Sequence, residues 1–349
     1  MNQNAPAAHM TAEMAEQPTI LARFASRFDT VVADVRDVAG SGVAGVAFLA
    51  RGSSDNAALL GRYAVELGSG LPTCLVAPSV ATAYERHPTG FVGWLVVALS
   101  QSGRTPEIVD LAEQFGAAGA VVVGVTNDTA SRLAAVSRLA IGLDAGQETA
   151  VPATKTVTSQ MLAVLAVAAA VGSIDSPGVL TAEQAGLAPG AVATVLDDFG
   201  PMRRIAGDLS GVYRLAVVGR GFSFPAALET ALKLQETAGV MAHGFSTADF
   251  RHGPIGVCGP DAPAVLLAGS GPADADTREV RAPLAARRAR TYLFGTGTDG
   301  VDAAWPATGT ATECLLATVR GQQLALALCL ERGIDPDQPA GLDKVTLTH

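Results

Sequence analysis

The sequence predicts an α/β protein built from two tandem, doubly wound parallel-sheet domains. Three observations carry that expectation. The chain has 349 residues, more than one hydrophobic core tends to support. Short apolar runs alternate with helix-length segments, the rhythm of a parallel sheet with crossover helices. The strand–turn–helix stretch that starts at Val46 also returns, offset by 169 positions, at Leu215. Arg51, Gly52, Ser54, Ala57, Ala58 and Leu59 meet Arg220, Gly221, Ser223, Ala226, Ala227 and Leu228, six identities in nine columns, as an internal duplication would give.

In chain order, a helical segment from Thr11 to Asp37 precedes the first sheet. Val46 onward reads as a buried strand running into a glycine turn, followed by a helix over Asn56–Leu67. Trp94–Leu99 reads as a strand, Pro106–Phe115 as a helix, Ala120–Thr126 as a strand and Thr154–Val171 as a long buried helix. The stretch Ser173–Pro189, rich in Gly, Pro and Ser, marks the junction. The second copy repeats the rhythm: strand from Leu215, helix over Pro225–Thr237, strand Ala264–Ala268, helix Thr277–Arg288, strand Arg290–Phe294 and helix Leu315–Glu331. The expected segments are thus 1–37, 38–175, 195–334 and a polar tail over 335–349.

Composition narrows the partners. Nearly half the residues are hydrophobic (49%) and few are charged (16%), which suits buried parallel sheets and opposes disorder. A formal charge of −9 offers no long-range attraction to nucleic acid or to an anionic membrane. An anionic ligand must therefore be held by local donors. Cys74, Cys258, Cys314 and Cys329 have neither CxxC spacing nor histidine neighbours, so neither a disulfide framework nor a metal site is expected. Glu13 and Glu16 precede any apolar run, unlike a signal peptide, and Met161–Val171 is too short to span a bilayer. A cytoplasmic protein is expected. Of the 24 basic residues only Lys155, Lys233 and Lys344 are lysines. A lysine amine can form an imine, which an arginine does not readily do.

Leu99-Ser-Gln-Ser-Gly-Arg-Thr105 lies where a strand ends and a helix begins at Pro106. Proline suits a first helical turn, and the helix start favours an anion. Ser100, Ser102 and Thr105 add hydroxyls, Gly103 permits close backbone approach, and Ser53 and Ser54 stand at the end of the first strand. The alternative is an ordinary serine-rich βα turn. This segment is neither a Walker A loop, having no GxxxxGK(S/T), nor a GxGxxG fingerprint, which disfavours nucleotide binding. Farther along, Glu229, Lys233 and Glu236 fall on one helix face, by spacing. A solvated ion pair would explain them, but their surroundings are apolar, and burial would perturb the group. His252 precedes a Gly-Pro turn and is expected on a loop.

Taken together, the motifs resemble the SIS (sugar isomerase) family. They come closest to the isomerase half of glucosamine-6-phosphate synthase and to SIS-type glucosamine-6-phosphate deaminases. The matching pieces are Arg51-Gly-Ser-Ser, Ser100-Gln-Ser-Gly-Arg-Thr, Glu148-Thr-Ala-Val-Pro-Ala-Thr-Lys155, Ala231-Leu-Lys-Leu-Gln-Glu236, Phe250-Arg-His-Gly-Pro254 and Asp335-Pro-Asp-Gln-Pro-Ala-Gly-Leu-Asp-Lys344-Val-Thr. They run in family order over almost the whole chain and include all three lysines.

The resemblance implies flavodoxin-like domains and a set of roles. Ser53, Ser54, Ser100, Gln101, Ser102 and Thr105 would hold a sugar 6-phosphate, and Val151 and Pro152 would line the sugar. Glu236 would move a proton between C1 and C2, with Lys233 near the reacting oxygens. Lys344 would lie over the open-chain sugar; in the synthase its counterpart forms an imine with the ketose. His252 would assist ring opening in the site of a neighbouring subunit, implying a homodimer. No metal or organic cofactor is implied. No cysteine precedes Cys74, so the glutamine-using half of the synthase is not expected, and His243 stands where the family carries an acid. In the second copy Val265-Leu-Leu-Ala-Gly-Ser-Gly271 stands at the cradle position without its run of hydroxyls, so one composite site per subunit, completed across a dimer, is expected. The expected activity is conversion of glucosamine 6-phosphate to fructose 6-phosphate and ammonia. Alternatives are a fructosyl-amine 6-phosphate deglycase, a galactosamine-6-phosphate deaminase, a plain isomerase, or a non-catalytic sugar-phosphate sensor.

Overall fold

The computed structural model describes residues 7–344 apart from Ile174, Asp175, Pro177 and Ala340. The described chain divides into two compact units, each around its own five-stranded sheet.

The first-sheet unit comprises Thr19–Glu148 and Lys155–Gly186. Helices α1 (Ala8–Ala25) and α2 (Phe28–Ala39) lead into β1 (Gly45–Leu49), α3 (Ser53–Ser69), β2 (Thr73–Leu75) and the single turn α4 (Ser79–Thr82). Then come β3 (Trp94–Leu99), α5 (Pro106–Ala117), β4 (Val121–Thr126), α6 (Arg132–Val136), β5 (Leu139–Gly142) and α7 (Lys155–Val171). All strands pair in parallel, in the order β2-β1-β3-β4-β5. Both faces are covered. Ala47, Leu49, Val96 and Ala98 pack with Ile108, Leu111 and Phe115 of α5. On the other face, Gly61 of α3 leaves room for the Phe48 ring and Val164 of α7, each within 3 Å of where a Cβ would stand. Continuous apolar strands are what burial on two faces demands.

The second-sheet unit comprises Leu187–Lys344 with Thr149–Thr154 and the chain up to Pro18. After α8 (Ala182–Asp197) and α9 (Gly200–Leu209) come β6 (Arg214–Gly219), α10 (Ser223–Ala238), β7 (Met241–Ser246), α11 (Thr247–Arg251) and a 3₁₀ turn at Pro254–Val257. They are followed by β8 (Ala264–Ala268), α12 (Asp274–Glu279), α13 (Arg281–Ala286), β9 (Thr291–Thr296), β10 (Ala303–Trp305) and α14 (Thr310–Arg332). Strand order is β7-β6-β8-β9-β10, again all parallel and the same topology as the first sheet. In both sheets the order reverses beside the first strand. The crevice at the carboxyl ends of such neighbouring strands is where α/β sheets take ligands.

Several elements differ from the sequence expectation. The leading segment is two helices. The stretch expected as helix Thr277–Arg288 is the short pair α12 and α13, because Pro283 has no N–H to offer the Glu279 carbonyl. The second half of the expected junction is helical from Ala182, with Pro189 inside α8. No helix among the described residues is long and apolar enough to cross a membrane.

Candidate functional site

At the crevice of the first sheet, the turn after β1 and the loop after β3 come from adjacent strands. Ser53 and Ser54 open α3, and Ser100–Thr105 runs into Pro106 at the start of α5. Ser100 Oγ lies 3.2 Å from Thr105 Oγ1 and accepts the Gly103 N–H at 3.2 Å; Ser102 Oγ accepts the Arg104 N–H at 3.2 Å. Thr105 precedes α5 with an extended backbone, and its side chain makes no capping bond to the helix. Gly103 is required as glycine: its φ is +63°, and a Cβ would stand 2.1 Å from Ser131 Oγ. The loop is pinned from β4 onward, where Asn127 N–H donates to the Gln101 carbonyl and Leu133 N–H to the Gly103 carbonyl. Arg104 points outward to Asp128 at 2.9 Å. The result is a short loop lined with hydroxyls and backbone donors, suited to an anion.

Glu107, which the sequence reading passed over, holds the two parts together. Its buried carboxylate takes both Nε and Nη2 of Arg51 at 2.9 and 3.0 Å, and the same bond raises the Arg51 pKa. The signal available in the sequence was positional, an acid in the first turn after Pro106, matched 169 positions on by Asp276. At the start of α7, Glu148 caps the helix by accepting the Thr156 N–H and hydroxyl at 3.1 and 2.7 Å, and Lys155 is buried beside it in the chain.

In the second-sheet unit α10 carries the acid–base row. Glu229 and Lys233 are fully buried, 3.4 Å apart, and Lys233 Nζ also bonds Glu236, whose side chain is 22% exposed. Burial is the main influence on Glu236 and pushes its pKa up. Lys233 pulls it down, Glu229 pushes it up, and Lys344 pulls it down. The carboxylate is therefore a stronger base than a free glutamate while staying within reach of solvent.

Lys344 also donates to the Ala150 carbonyl at 2.7 Å. That places the tail on the segment carrying Val151, half-buried, and Pro152, buried. The same segment is fastened from the other side by Glu13 of α1, which accepts the N–H groups of Thr149 and Ala150. The tail in turn caps α1: Asp335 accepts the Ala7 N–H at 3.0 Å, and Asp337 accepts those of His9 and Met10 at 2.8 Å each. Neither Glu13 nor Asp337 has a local sequence signal for this task, because their partners are more than a hundred residues away. Of the tail motif, Ala340, Val345 and Thr346 lie outside the described residues.

The fold thus gathers Lys233, Glu236, Lys344, Val151 and Pro152 in one unit, and the six cradle residues in the other. His252 is not part of the α10 row; it stands exposed on the turn after α11, as expected of a loop histidine. His243 is exposed on β7, its ring 4.3 Å from that of Phe245.

The chain matches the family model for the SIS domain twice, over residues 45–170 and 208–301. It is 32% identical over 366 residues to the isomerizing glutamine–fructose-6-phosphate aminotransferase of Streptomyces coelicolor, covering 97% of this chain and 58% of that protein. The chain therefore spans a little over half the length of the curated relatives it matches. Among solved structures, a protein of Silicibacter pomeroyi DSS-3 assigned as a phosphosugar isomerase has a TM-score of 0.79 at 32% identity, covering 94% of this chain and 99% of its own. Glucosamine-6-phosphate deaminase of Thermotoga maritima shares the fold, with a TM-score of 0.78 at 23% identity over 98% of this chain and 100% of its own.

Proposed function

The chain belongs to the SIS domain family, and from that premise we propose that it is an amino-sugar-phosphate isomerase and deaminase. Its proposed reaction takes glucosamine 6-phosphate and water to fructose 6-phosphate and ammonia. The observation that carries the reading is the row on α10: a half-buried carboxylate of raised pKa, held by a buried ammonium and neighboured by Lys344. The likeness to a protein named for isomerizing fructose-6-phosphate amination favours a sugar-phosphate substrate.

In this reading Ser53, Ser54, Ser100, Gln101, Ser102 and Thr105 take the 6-phosphate, and Val151 and Pro152 border the sugar. His252 of a second copy opens the ring, since imidazole shuttles protons near neutral pH. Glu236 removes the C2 proton of the open aldehyde and returns it to C1, passing through an enolamine. Lys233 and Lys344 stabilise the developing oxyanion and keep Glu236 ionised between turnovers. The product is the ketimine at C2, and water adds to it to expel ammonia, which balances the equation without an added oxidant or reductant.

The test is ammonia release from purified protein given glucosamine 6-phosphate, with the galactosamine and fructosyl-amine analogues as competitors ranked by kcat/KM. Release is expected, and Glu236→Gln should slow it about 10²- to 10⁴-fold. No release from any of the three, or a Glu236→Gln enzyme as fast as wild type, would sink the reading.

A further inference from the structure

The duplication lets one half of the chain be compared with the other, position by position. At the offset of 169, the Arg51–Glu107 ion pair meets Arg220–Asp276, which is also an ion pair. Ser54 meets Ser223, Gln101 meets Ser270 and Ser102 meets Gly271. The flanking ion pair and the serine that opens the helix after the first strand are retained, whereas all six positions of the loop itself differ. Two of these differences matter here: Ser100 meets Gly269, and Thr105 meets Asp274.

The second loop also sits where its sheet reverses, between the carboxyl ends of β6 and β8. Its donors are turned onto carboxylates of the same chain. Ser223 Oγ donates to Asp274 Oδ1 at 2.7 Å, and Gly271 N–H to Asp274 Oδ2 at 2.9 Å. Ser270 gives both its N–H and its hydroxyl to Glu313, at 2.7 Å each, and Glu313 comes from the first turn of α14. The two acids are 6% and 3% exposed. Gly269 leaves the room they need: a Cβ there would stand 2.3 Å from Glu313 Oε2 and 3.4 Å from Asp274 Oδ2. The serine of the first copy cannot return while Glu313 is in place.

Two buried carboxylates side by side are costly unless donors meet them. Here two backbone N–H groups and two hydroxyls do so, the kind of donor set that suits a phosphate. We propose that Asp274 and Glu313 act as a built-in anion filling the second copy's loop, which closes it to phosphate and phosphosugars. Removing both acids should turn those four donors into an oxyanion site.

The test counts inorganic phosphate per chain by equilibrium dialysis with radiolabelled phosphate. It compares wild type with the double variant Asp274→Thr/Glu313→Ala, where threonine is the residue of the first copy. The variant should bind one phosphate more than wild type. One against two supports this inference and the phosphate role of Ser100–Thr105 alike. None against one removes that role and keeps this inference. Equal numbers overturn the inference. If the double variant is unfolded in buffer, circular dichroism decides: refolding on added phosphate, and not on sodium chloride of matched ionic strength, supports the proposal, and failure to refold overturns it.

Discussion

Gly103→Ala tests the first loop with a magnitude that follows from its geometry. At φ +63° an alanine costs about 1–2 kcal/mol relative to glycine. The added Cβ would also stand 2.1 Å from Ser131 Oγ, 2.5 Å from Ser131 Cβ and 2.7 Å from Thr126 Oγ1, so something must move. Ser131 is not free to turn away, because its hydroxyl accepts the Ala134 N–H and caps α6. Crowding of this kind costs about 1–3 kcal/mol, and the lower freedom of the unfolded chain offsets about 0.4–1 kcal/mol. The expected net loss is about 3 kcal/mol. Gly70→Ala is the control in the same unit, with φ +70° and nothing within 4 Å of its Cβ; without the crowding it should lose only about 1 kcal/mol. Urea unfolding followed by circular dichroism measures both, and KM for glucosamine 6-phosphate should rise in Gly103→Ala alone. Equal stability losses would refute the crowding argument, and an unchanged KM would refute the part given to this loop in holding the phosphate.

Two further outcomes are expected. The base must be ionised to act, so kcat/KM should be present above the Glu236 pKa and fall as pH drops through it. Because burial raises that pKa, the acid limb should lie above the 4.5 of an unperturbed glutamate, and a limb at or below it would count against Glu236 as the base. Asp337→Ala strips the acceptors from His9 and Met10 N–H and should cost about 1 kcal/mol. Amide exchange should quicken at those two positions, and unaltered protection there would refute the capping role.

The strands that were legible in the sequence are the central ones. Trp94–Leu99 and Ala264–Ala268 are covered on both faces, so every position is apolar and the boundaries coincide with the expectation. The strands that escaped lie at or near the edges. Thr73–Leu75 and Ala303–Trp305 are three residues long, and Met241–Ser246 alternates exposed with buried positions up to Gly244. The candidate site divides in the same way. Local motifs such as Ser100–Thr105 and the spacing of Glu229, Lys233 and Glu236 carry their own signal. The groups that position them, Glu13, Glu107 and Asp337, act on partners far away in sequence, and only folding puts them there.

The grip of the tail on the first helix also bears on chain entropy. Ala7, His9 and Met10 are tied to Asp335 and Asp337 by three hydrogen bonds, which join the two ends of the described chain. The two carboxylates stand three and five residues beyond the end of α14 at Arg332. Lys344 and its hold on Ala150 lie on the far side of the clasp from α14. The chain is tied at Asp335 and Asp337 before it reaches Lys344, so the clasp shortens the free length of chain that must be ordered to bring Lys344 to the Ala150 carbonyl.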